Sequence, residues 1–189
     1  MKKSSIKIIL DTNIFVNPDS RSLFGHSPRE ALNNFLAKIK KRENVICYIP
    51  PSIYEELVSF VDEERLCQDI SHIVKKPPAQ YHTPISALLF YEFIDEVRAR
   101  INKGLRIAEK YLRKAMKKAE DQELIKSLRE EYRNALRDGI IDSKGDFDLI
   151  LLSKELEGYL ATTDLGLIKW AHKFGISCLS ARELKNLLD

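Results

Sequence analysis

The hydrophobic positions of the chain fall into two periods. Short, nearly continuous apolar runs at Ile6–Leu10, Val45–Ile49, Tyr159–Thr163 and Ile176–Leu179 have the length and β-branched content of buried strands. Between them, apolar residues recur three and four apart, as on one face of a helix. Ala31, Leu32, Phe35, Leu36 and Ile39 follow Ser27-Pro28-Arg29-Glu30, which has capping-box spacing and proline at the first helical position. Pro50-Pro51 ends the second strand and opens a helix near Ser52. Leu149–Leu156 is helical and ends at Glu157-Gly158. Leu167, Ile168 and Ala171 continue a short helix with Gly175 as its C-terminal glycine, and Ser180–Glu183 caps the last one. Asn17–Ser27 reads as loop and Lys75–Pro84 as a breaker-rich linker. Strands alternating with helices predict an α/β domain around a parallel sheet.

One stretch departs from this alternation. Phe90, Ile94, Val97, Ile101, Leu105, Ala108, Leu112 and Ala115 form a coiled-coil-like seam on one long helix. A second helix over Gln122–Arg137 carries Ile125, Leu128, Tyr132 and Leu136, with a turn at Lys118–Asp121 between them. Residues 85–138 are therefore expected to form a two-helix hairpin inserted into, and protruding from, a domain made of residues 1–84 and 139–189. The seam would pack the hairpin on itself or on a second copy.

Charge sharpens the picture. The 189 residues carry a net +3, but Arg98–Lys118 holds nine bases and one acid, about +8, leaving about −5 elsewhere. Lys103, Arg106, Lys110, Arg113 and Lys117 fall on one side of the helix, with Arg98 and Lys114 nearby. A solvated face is one reading. Like charges four apart repel by a few tenths of a kcal/mol per pair, however, so a face that repeats them fits an electrostatic footprint for a polyanion better. Composition, 44% hydrophobic and 31% charged, describes a soluble globular chain, with no apolar run long enough for a membrane helix. The basic-then-apolar start, MKKSSIKIIL, is too short for a secretory signal and reads as the first strand. Three cysteines without a CxxC pair fit a reducing cytoplasm and speak against a structural zinc site.

The candidate chemistry is acidic. Asp11, Thr12 and Asn13 follow the first strand at its carboxyl end, where open α/β sheets bind ligands; capping the next turn is the alternative role for Asp11 or Asn13. Asp142, Asp146 and Asp148 precede the apolar helix, and Asp164 ends the following strand. On the helix near Ser52, Glu55 has capping-box spacing, which leaves Glu56 either to face an acidic pocket or to stand as a solvated glutamate. Carboxylates gathered together repel, and a divalent cation relieves this. An all-oxygen set, here Asp11, Asp142, Asp146 and Asp164, suits Mg²⁺ or Mn²⁺. Thr12, Asn13 and Thr163 are placed to orient a water or a phosphate oxygen. His26, His72, His82 and His172 form no triad or zinc pattern, and the absence of GxGxxG and Walker A sequences removes the usual nucleotide-cofactor sites. Acids, a hard cation and a basic arm together point to phosphodiester hydrolysis.

IILDTNIF, IPPSIYEEL and the D…D…ATTD pattern, with Asp146 eighteen residues before Asp164, resemble a PIN-domain ribonuclease. The long insertion just before DSKGDFDLILLSKEL and the following TDxGxxxWA (Thr163, Asp164, Gly166, Trp170, Ala171) are similar to the minimal protein-only ribonuclease P group of that family. The resemblance implies a PIN-like three-layer domain and removal of the 5′ leader from precursor tRNA by metal-dependent hydrolysis that leaves a 5′ phosphate. It also implies homo-oligomers assembled through the hairpin and a basic arm that meets the tRNA. By position, Asp11, Asp142, Asp146 and Asp164 match the family's acids, with Asp148 a further acid and Glu56 the helix acid. A toxin-type PIN nuclease cutting mRNA or tRNA, and a non-catalytic RNA-binding assembly protein, are the competing expectations.

Overall fold

The computed structural model describes residues 5–61, 68–79, 84–115, 122–137, 141 and 143–189. The chain divides into two compact units, Met1–Thr83 with Ser143–Asp189, and Pro84–Asp142.

In the first unit, five parallel strands lie in the order β3-β2-β1-β4-β5: β1 Ile6–Leu10, β2 Val45–Ile49, β3 Ile73–Lys75, β4 Tyr159–Ala161 and β5 Cys178–Leu179. Central β1 pairs Ile8 with Cys47 on one side and Leu10 with Ala161 on the other. Ile8, Ile9 and Leu10 are all fully buried. Successive side chains of a strand face opposite ways, so both faces of the sheet are covered, and that explains an unbroken apolar run without alternation. The helices are α1 Asn13–Val16, α2 Pro18–Arg21, α3 Pro28–Ile39, α4 Pro51–Val61, α7 Lys144–Leu156, α8 Leu165–Lys173 and α9 Ala181–Leu188. Helix α7 lies against β1 and β4, and α8 and α9 against β5. Phe15, Phe24 and Phe35 form an edge-to-face cluster that fixes α3 beside the α1–α2 turn.

Several boundaries differ from the sequence expectation. Strand β3 was missed because it has three residues and only Ile73 is buried. A short helix, α1, precedes the expected loop of Asn17–Ser27, and a second, α2, occupies its start. Helix α7 begins at Lys144, five residues before the apolar run, because the Ser143 hydroxyl accepts the Asp146 N–H; Asp146 and Asp148 thus lie within the helix. At α4, Ser52 is no cap: the helix starts at Pro51 and the Tyr54 N–H donates to the Pro50 carbonyl. The box at Ser180 and Glu183 closes in both directions. At α3, Ser27 accepts from the Glu30 N–H, but the Glu30 carboxylate reaches past it to the His26 N–H.

In the second unit, α5 (Ala87–Ala115) packs against α6 (Gln122–Arg137). The face of α5 that meets α6 holds Gly104, Ile107 and Tyr111, with Leu124, Leu128 and Ala135 opposite. A Cβ on Gly104 would stand 2.7 Å from the Tyr132 ring, so the helices meet closely there. The seam read from the sequence is a different face. Ile101, Leu105 and Leu112 stay more than half exposed. The expected turn at Lys118–Asp121 lies outside the described residues. No helix among the described residues is long and apolar enough to cross a membrane.

The end of α7 shows two adjacent positions with opposite demands. Glu157 has φ 51°, the left-handed conformation that closes the helix. Its N–H donates to the Lys154 carbonyl and that of Gly158 to the Ser153 carbonyl, a Schellman arrangement. A Cβ on Gly158 would stand 2.9 Å from the Lys7 carbonyl and 2.6 Å from Ile9 Cδ1. Glu157→Gly therefore raises stability by about 0.5–1 kcal/mol, and Gly158→Ala lowers it by about 1–3 kcal/mol. Urea midpoints at unchanged slope measure both.

Candidate active site

Asp11 is the first residue beyond β1, and its N–H continues the ladder to the Ala161 carbonyl of β4 (3.0 Å). This places it at the carboxyl end of the sheet, where the chain leaves β1 with strands on both sides. The residue is 4% exposed. Its Oδ1 accepts from the Asn13 N–H (3.3 Å), and its Oδ2 from Asn13 Nδ2 (3.2 Å) and Thr162 Oγ1 (2.5 Å). Burial pushes the Asp11 carboxyl above its ordinary pKa; the Thr162 and Asn13 bonds pull it back in part, and the charge of Glu56 adds to the rise. No cation acts on it among the described residues.

Thr162 ties the two strand ends together. Fully buried, it donates to Asp11 and accepts the Asp164 N–H (3.1 Å). Asp164 caps α8, its Oδ1 accepting from the Leu167 N–H (2.8 Å). Helix α4 closes another side. The Thr12 hydroxyl donates to the Ile53 carbonyl (3.4 Å), Glu56 acts on Asp11, and the Ser52 hydroxyl donates to Asp148 Oδ2 (3.1 Å). Asp146 sits in the first turn of α7, its N–H on the Ser143 cap. Asp142 lies outside the described residues.

Of the expected orienting groups, Thr12 holds α4 and Asn13 holds Asp11, while the Thr163 hydroxyl is buried with no hydrogen-bond partner among the described residues. Thr162 and Ser52 were missed. Ser52 carried the spacing of a cap, and nothing in the sequence separates the roles of the two adjacent threonines. The donor chemistry is all oxygen, and a buried carboxylate opposed by a second one and by no cation fits a hard divalent ion. Among the described residues alone, no three acids, histidines or cysteines lie close enough to hold one.

In the second unit, Arg98, Lys103, Arg106, Lys110, Arg113 and Lys114 are all exposed on α5; Lys117 lies outside the described residues. The sequence counted acids along one helix only. Helix α6 supplies Glu131, which binds Lys110 (2.7 Å), and Lys110 and Lys114 both lie over the Tyr111 ring. Helix α6 also adds cations that the sequence reading left out. Lys126, Arg129 and Arg133 line an open groove of about 850 Å³ with Gln122, Ile125, Asn134 and one acid, Glu130.

The raised Asp11 pKa has a signed consequence for the metal-free protein. Below about pH 4 the group is protonated both folded and unfolded. As pH rises through its elevated folded value, the folded state holds the proton more tightly than the unfolded one, so stability falls. In chelator, Asp11→Asn is therefore more stable than the unsubstituted protein near pH 8, and the gap closes as pH falls toward 4; thermal melts across that range measure it.

A family described as PINc domain ribonuclease matches residues 7–189. The chain is 46% identical over 183 residues to the RNA-free ribonuclease P of Thermodesulfovibrio yellowstonii, covering 96% of this chain and 93% of the relative. It is 46% identical over 187 residues to that of Pyrococcus horikoshii (97% and 92%) and 41% identical over 187 residues to that of Nitrosococcus oceani (97% and 94%). The chain belongs to the PINc domain ribonucleases, as an endoribonuclease of the RNA-free ribonuclease P family.

Proposed function

We propose that this chain removes the 5′ leader of precursor tRNA by metal-dependent hydrolysis, without an RNA subunit, leaving a 5′ phosphate on the mature tRNA. The observation that carries the reading is the extent of the similarity. It runs over 96–97% of the chain in relatives named RNA-free ribonuclease P, and so takes in the helical unit as well as the acids.

Asp11, Asp142, Asp146 and Asp164 would hold Mg²⁺ or Mn²⁺, with Asp148 and Glu56 beside them. Such an ion, when bound, would supply a lowered pKa for the attacking water and charge stabilisation for the leaving 3′ oxygen. The protein's own part is placement. Thr162 and Asn13 fix both oxygens of Asp11, and the α8 cap fixes Asp164. The Thr163 hydroxyl, buried and without a partner among the described residues, would orient a water or phosphate oxygen only once a small shift exposes it.

The helical unit holds the RNA. Arg98, Lys103, Arg106, Lys110, Arg113, Lys114 and Lys117 of the α5 stretch, joined by Lys126, Arg129 and Arg133 of α6, contact phosphates, which position structured RNA without reading its sequence. The uncovered seam of Ile101, Leu105 and Leu112 joins copies of the chain.

With Mg²⁺, the purified protein is expected to cut a precursor tRNA once, at the leader junction. Asp11→Asn and Asp146→Asn are each expected to slow that cut by more than about 100-fold, since losing a ligand costs more than losing a group that orients one. Growth arrest with cuts in mRNA or mature tRNA would favour a toxin, and binding without any cut a non-catalytic protein. Arg129→Gln with Arg133→Gln is expected to weaken RNA binding and to lower the slope of log affinity against log salt by about 2; an unchanged slope removes α6 from the contact. Leu105→Glu with Leu112→Glu is expected to give a smaller species by light scattering.

A further inference from the structure

The first turn of α4 is gripped by side chains from two acid-bearing segments. The Thr12 hydroxyl takes the Ile53 carbonyl (3.4 Å), and the Ser52 hydroxyl donates to Asp148 Oδ2 (3.1 Å). Ser52 has no duty to its own helix, which begins one residue earlier. Ser52 and Glu56 are four residues apart, so they share one face of α4. The bond to Ser52 therefore ties Asp148 to the face that bears Glu56, the carboxylate whose charge reaches Asp11.

We propose that Ser52 is a positioning residue of the active site: its hydroxyl holds the Asp148 carboxylate against the first turn of α4, so that Asp148 and Glu56 present their charges together. The inference rests on the metal-dependent reading above. The physical reason is ordering. A carboxylate free to rotate must give up that freedom when a cation binds, and a donor that has already fixed it removes part of the cost. With Asp148 taken as a further ligand beside the four acids, a group that orients it would change metal affinity by about 10–100-fold. The bond is solvent-exposed, so it adds little to folding. Stability and positioning are therefore separable here.

The test uses the RNA-free protein and Mn²⁺, reading the rise in melting temperature against cation concentration, beside single-turnover cleavage of precursor tRNA. Ser52→Ala is expected to raise the half-maximal Mn²⁺ concentration about tenfold and to slow cleavage. The cation-free melting temperature and the KM for RNA stay the same, and Ser52→Thr, which keeps the hydroxyl, restores the response. Asp148→Ala and the double variant with Ser52→Ala should share one midpoint, since Ser52 acts only through the carboxylate that Asp148→Ala removes. A Ser52→Ala midpoint equal to that of the unsubstituted protein, or effects of the two substitutions that add, overturns the proposal while leaving the hydrolase reading intact. An unsubstituted protein that neither responds to Mn²⁺ nor cleaves defeats the hydrolase reading, and this inference with it.

Discussion

The structure depends on a carboxylate that the fold buries and does not neutralise. Asp11 ends the central strand with both neighbouring strands in place, so its side chain is taken out of water by the same packing that buries Ile8, Ile9 and Leu10. Three hydrogen bonds soften the cost, and the Glu56 charge adds to it. A fold keeps such a group only where something else repays it. In the proposed function that compensation comes from outside the protein, from a bound cation. The Asp11–Thr162–Asp164 chain of hydrogen bonds carries this constraint to the neighbouring strand, so two acids 153 residues apart in sequence are held by one buried hydroxyl.

In the proposed function the two units carry two electrostatic tasks. Residues Met1–Thr83 and Ser143–Asp189 concentrate carboxylates at one end of a sheet, and Pro84–Asp142 presents cations along two helices. Within the helical unit, Gly104 lets α6 approach on one face of α5, which frees the Leu105 and Leu112 face for another surface.

Most of the sheet was legible in the sequence, because a strand covered on both faces writes itself as an apolar run. Ile6–Leu10 and Val45–Ile49 are strands over the expected residues. Short edge elements were not. Strand β3 buries one side chain, and β5 is two residues long where four were expected. The places of Asp11 and Asp164 were legible because each directly follows an apolar strand, or nearly so. What ties them together was not. Thr162 and Ser52 act through hydrogen bonds to residues 151 and 96 positions away, and no local period records such a bond. Ser52 misled by mimicking a cap. The α5 seam misled differently: an apolar stripe says that a face is covered, not by what, and the α6 contact was written in Gly104, Ile107 and Tyr111 instead.

The central claim is that a divalent cation balances the buried Asp11 carboxylate. Titration calorimetry with Mn²⁺, on the protein alone and on Asp11→Asn, tests it most directly. Measurable binding to the unsubstituted protein is expected, with most of that affinity lost in the variant. Equal binding by the two, or no binding by a protein that still needs Asp11 to cleave RNA, would contradict it.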